Sequence, residues 1–71
     1  MAQKPKVYAL TEVVGTSEVS VAEAIRTAIK TASGSLRNLD WFEVQEIRGS
    51  IRNNEVSEFQ VSLRLGFRYE T

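Results

Sequence analysis

No cysteine and no histidine occur among the 71 residues, and proline appears only once. The missing cysteines exclude disulfides and thiolate metal centres, and the missing histidines leave carboxylates as the only strong side-chain metal ligands. No metal site is expected. There is also no Cys–His or Ser–His pair, no G-x-S-x-G elbow, no G-x-G-x-x-G turn and no Walker loop. Glu43, Glu46, Glu55 and Glu58 are the carboxylates that an acid/base pair would need, but alternating charges on a sheet are ordinarily solvated or paired across strands. Enzymatic chemistry by the usual side chains is not expected.

An excess of one charge is missing as well. Nine Lys and Arg balance nine Asp and Glu, so no bulk field draws the chain to nucleic acid or to an anionic membrane. No segment approaches the roughly 18 apolar residues of a membrane span, and MAQKPKVYAL lacks an apolar run of signal-peptide length. A soluble, cytoplasmic protein without nucleic-acid or membrane partners is expected. Bulk is lacking too, since a chain this short buries only about 60% of the surface that its unfolded form exposes. With disulfides and thiolate metal centres excluded, oligomerisation is the remaining staple.

The chain reads as a single domain over 1–71, with a disordered tail over 1–5. Val7 to Gly15, VYALTEVVG, is β-branched and aromatic and predicts a first strand, and Gly15, Thr16 and Ser17 predict a polar turn. Ser20 and Glu23 have the S-x-x-E spacing in which each side chain satisfies an amide of the other at a helix start. Val21, Ala24, Ile25, Ala28, Ile29 and Ala32 then fall on one helical face, opposite Glu23, Arg26, Thr27 and Lys30. Ser33 and Gly34 weaken the helix, which has room to run on to Leu36.

From Trp41 onward the period is two. Asn53 and Asn54 suit the positive φ angles of a tight hairpin, and Phe59, Val61, Leu63, Leu65, Phe67 and Tyr69 alternate with polar residues or glycine. With the two asparagines as the loop, a straight ladder sets Arg52 against Glu55, Val44 against Leu63, Phe42 against Leu65 and Trp41 against Gly66. Phe42, Val44, Leu63 and Leu65 are then core. Trp41, Glu43, Gln45 and Ile47 share the opposite face with Gln60, Ser62 and Arg64. Placing the third strand between the other two gives an α+β fold of β-α-β-β order: a three-stranded antiparallel sheet of strand order 1-3-2 packed on one helix, with one bare face.

An outward tryptophan either covers a subunit contact or stacks on a planar ligand, and residue type alone favours the contact. Gly66 opposite marks either a close approach or a bend. Arg48, Arg52, Arg64 and Arg68 crowd the hairpin and read as a solvated charged face or as an anion site. Gln60 is unremarkable on a strand, yet its amide can both donate to and accept from a heterocycle edge.

Taken together, VVGTSEVSVAEAI, LRNLDWFEVQEIRG and EFQVSLRLGFR resemble the bacterial branch of the dodecins, small flavin-binding proteins. The resemblance covers nearly the whole chain, and RNLDWFEV is its most specific block. It implies a hollow homododecamer with helices outside and bare sheet faces inward, binding flavins in pairs between two tryptophans equivalent to Trp41. It further implies that Gln60 bonds the flavin pyrimidine edge and that Arg48 and Arg68 approach the phosphate, favouring FMN over riboflavin and leaving FAD possible. The implied role is flavin storage and quenching of flavin photochemistry. The competing expectations are an assembly that holds coenzyme A through its arginines, at a second site or in place of flavin, and a flavoenzyme using bound FMN.

Overall fold

The computed structural model describes residues 5–69. Strand β1 (Tyr8–Ser17) is followed by helix α1 (Val21–Ala32) and by the hairpin of β2 (Leu39–Arg52) and β3 (Glu55–Arg68). The sheet is antiparallel with order β1-β3-β2, as the alternation predicts. Of the tail expected over 1–5, residues 1–4 lie outside the described residues, and Pro5 precedes β1 without regular structure.

Gly15, Thr16 and Ser17 are not a turn; they close β1, paired with Val61, Gln60 and Phe59. The chain bends one step later, where Ser17 Oγ accepts from the backbone N–H groups of Val19 (2.9 Å) and Ser20 (3.3 Å). Gly15 belongs in the strand because α1 presses on it: a Cβ there would stand 2.1 Å from the Ala24 carbonyl oxygen and 2.8 Å from Ala28 Cβ. Ser20 caps the helix, accepting from the Glu23 N–H at 3.0 Å. The reciprocal half of the expected box is absent among the described residues, since the Ser20 N–H goes to Ser17 and the Glu23 carboxylate accepts from Arg26 at 3.0 Å.

The helix stops at Ala32, short of Leu36. Ser33, Gly34 and Ser35 form a turn whose N–H groups return to Ile29, Thr31 and Ala32, and Ser33 Oγ donates to the Lys30 carbonyl. Asn38, at φ 62°, then swings the chain into β2. At the far end Asn53 and Asn54 take φ of 53° and 65°, the left-handed pair that a two-residue hairpin needs.

Ala24, Ala28 and Ala32 pack on Val61, Leu63 and Leu65, and these six are the buried apolar core. Burying each of the three large side chains stabilises the fold by about 1.5–3 kcal/mol. Phe42 and Val44 lie on the predicted face but are not core: they are 46% and 41% exposed. Twelve helical residues cover β1 and β3, leaving the helix-side face of β2 bare beyond Leu39, which packs against the core. The molecule measures 60 × 20 × 16 Å with a radius of gyration of 15.3 Å, against about 11 Å for a compact chain of this length. The excess length is the hairpin, which runs beyond the last β1 pair at Phe59.

Candidate functional site

The sheet face away from the helix carries the candidate site residues. From β1 it presents Tyr8, Leu10, Glu12 and Val14, which the register sets against Arg68, Gly66, Arg64 and Ser62 of β3. Leu10 and Val14 are each about half exposed. No described helix or strand covers this face.

Trp41 stands opposite Gly66, as the straight ladder predicts. The glycine is there because the indole lies across it: a Cβ on Gly66 would be 2.5 Å from Trp41 Cε2 and Cζ2 and 2.6 Å from Cδ2. Tyr8 meets the indole edge to face, with ring centroids 5.2 Å apart and an interplanar angle of 69°. The indole N–H donates to Glu43 Oε2 at 3.3 Å, while Glu43 Oε1 accepts from Gln45 Nε2 at 3.4 Å. One ring face therefore rests on the strand and the position is held at two edges, yet Trp41 remains 39% exposed. The arrangement is a partly exposed aromatic wall.

The straight ladder fails between Val44 and Ile51. An extra residue in β2 between Val44 and Glu46, offset by one in β3 between Val56 and Glu58, shifts the intervening pairs by one place. Ile47 therefore faces Val61 on the helix side, and Glu46 and Arg48 take the bare face opposite Ser62 and Gln60. The expectation that Ile47 continues the Trp41 face opposite Gln60 is corrected by that bulge, which re-aims side chains as β-bulges do; Gln45, the extra residue, loses its place opposite Ser62 but stays on the Trp41 face, bonded to Glu43. Its effect is to bring two of the candidate residues together: Arg48 Nε donates to Gln60 Oε1 at 3.1 Å. Arg48 Nη1 also donates to Ser62 Oγ at 2.9 Å and to Glu46 Oε1, and Gln60 Nε2 donates to Glu58 Oε1 at 3.0 Å.

The four candidate residues therefore fall into two groups. Arg68 is two residues from Gly66 on β3, at the Trp41 end, with its backbone tied to Asn38. Gln60 is six residues from Gly66, which at a strand rise of about 3.3 Å is roughly 20 Å away. Between the groups Arg64 Nε donates to Glu12 Oε2 at 3.2 Å. Tyr8, Glu43, Glu46 and Ser62 complete the two groups; the sequence marks Glu43 and Glu46 only as members of a disfavoured acid/base pair, and the alternation of Tyr8, Leu10, Glu12 and Val14 along β1 is the available signal for the tyrosine. Among the described residues no group of three or more His, Cys, Asp or Glu is placed to hold a metal ion, and no helix is long and apolar enough to cross a membrane.

Comparison with known proteins agrees with this fold. A dodecin of Thermus thermophilus is 54% identical over 65 residues, spanning 92% of this chain and 94% of its own. The dodecin structure from Streptomyces coelicolor superposes with a TM-score of 0.92 at 49% identity, covering 97% of this chain and 99% of the other. The Streptomyces davaonensis dodecin gives 0.92 at 43% identity, over 96% and 100%. The sequence profile of the Dodecin family matches residues 7–70, and the chain belongs to that family.

Proposed function

We propose that this protein binds flavin, FMN above riboflavin and with FAD possible, as a cytoplasmic store that suppresses flavin photochemistry and turns over no substrate. The observation that carries the reading is the Trp41 indole, laid on Gly66 with its other side open. Base–aromatic stacking contributes about 1–3 kcal/mol per ring and tolerates varied substituents, and a flavin is a planar heterocycle of the same kind. Gln60 supplies both a donor and an acceptor for the pyrimidine edge, and Arg48 and Arg68 are cations for a phosphate.

One flavin cannot lie on Trp41 and reach Gln60 of the same chain, because roughly 20 Å of strand separates them. The site therefore takes its wall from one copy and its polar edge from another, and a hollow homododecamer with bare faces inward supplies that pairing. Two further features support assembly. Phe42, Val44 and Ile47 form an exposed apolar strip on the helix side of β2, and the hairpin beyond β1 is a two-stranded arm, marginal in water by itself.

With the indole against an excited flavin, one electron passes from indole to flavin and returns, and both partners end in their ground states. Titration of FMN followed by flavin emission tests this. The wild type is expected to quench emission strongly, and Trp41→Ala to bind about 5- to 150-fold more weakly with little quenching. Equal quenching by both proteins would sink the mechanism.

A coenzyme A site is the second reading, favoured by a hollow of about 240 Å³ bordered by Arg37, Asn38, Phe67, Arg68 and Tyr69. Purified protein that ignores FMN but retains coenzyme A would establish it in place of the flavin role.

A further inference from the structure

Arg48 carries five N–H donors, and the network around it already commits three. Nε–H goes to Gln60, and Nη1 supplies both Glu46 and Ser62. Only the Nη2 protons have no partner among the described residues. A phosphate takes two parallel bonds from a guanidinium, either through Nε and Nη2 or through Nη1 and Nη2. Each of those forks has one donor occupied. Of the occupants, Gln60 and Ser62 are neutral, and Glu46 is an anion of the same sign as the incoming phosphate.

From this geometry we infer that Glu46 is a specificity-determining positioning residue. It competes with a ligand phosphoryl group for Arg48 and so limits the preference of the site for phosphorylated over unphosphorylated flavin. The inference rests on the flavin reading above for its ligand, but the competition itself concerns only Arg48 and an anion. Both partners are partly solvated, at 41% and 64% side-chain exposure, so the pair is easily exchanged for a better one. Glu46 stands opposite Ser62 only because of the bulge in β2. A straight ladder would turn both it and Arg48 away from their present neighbours.

The test titrates FMN and riboflavin in parallel into wild type and Glu46→Gln, at low and high salt, with Glu46→Ala as a second variant and melting curves to verify folding. Release of an exposed pair is expected to tighten FMN by about 2- to 5-fold at low salt, less at high salt, and to leave riboflavin unchanged. Equal changes for both flavins, or none, would overturn the inference. A parallel arm follows the Arg48 Nε–H resonance against inorganic phosphate. Tighter phosphate binding in the variants is expected there, and unaltered binding would overturn the inference. If neither flavin binds any of the proteins, the flavin reading fails, while the phosphate arm still decides the role of Glu46.

Discussion

Replacing Gly66 with alanine probes the aromatic wall without touching the tryptophan. The new methyl group would lie 2.5–2.6 Å from three indole atoms, whereas carbon atoms settle at about 3.5–4.0 Å. The ring must retreat by about 1 Å. Trp41 is 39% exposed, so it has room to move, and the overpacking cost belongs at the low end of about 1–3 kcal/mol. Relief of a strand glycine returns about 0.5–1 kcal/mol. The expected net loss is about 1 kcal/mol or less, a fall in Tm of at most about 4–8 °C for a domain of this size. Ligand binding suffers more than stability, because the retreat stretches the 3.3 Å bond to Glu43 and the edge contact with Tyr8. Loss of most of one stacking interaction weakens FMN by about 5- to 100-fold. Fluorescence titration and thermal melting of Gly66→Ala, Trp41→Ala and the double variant give the coupling directly. In the Trp41→Ala background the alanine should be harmless to stability or improve it. Wild-type FMN affinity in Gly66→Ala, with no coupling between the two sites, would refute the placement of the indole.

Two other perturbations test separate parts of the account. Ser20→Ala removes the acceptor of the Glu23 N–H and should cost about 1 kcal/mol, read as a lower melting temperature with unchanged flavin affinity per folded chain. Val44→Arg places a charge in the exposed strip of β2; sedimentation should then find the variant in smaller species than the wild type, and an unchanged mass would remove that strip from the subunit contacts.

The parts of the fold set by local chemistry were legible in the sequence. The hairpin turn follows from Asn53 and Asn54, the helix from Ser20 and the alanine-rich face, and the pairing of Trp41 with Gly66 from counting back along the ladder. Counting was right at Trp41 only because the shift near Ser57 is cancelled by the one near Gln45. A bulge leaves the alternation of each strand nearly intact and shows only when the strands are compared. On a straight ladder Ile47 would meet Gln60 and Arg48 would meet Phe59, and that mismatch was the available clue. Alternation places Phe42 and Val44 on the core face because it reports the face of a strand, and it carries no information on how far a helix reaches across it. The separation of Trp41 from Gln60 was likewise implicit, as six residues of extended chain, once both were placed on one face.

The structure of the FMN complex tests the central claim most directly. The account predicts the isoalloxazine ring parallel to the Trp41 indole at about 3.5 Å, on the side away from Gly66, with the Gln60 amide of a second copy at its pyrimidine edge. A flavin bound elsewhere, or one that meets Trp41 and Gln60 of a single chain, would contradict it.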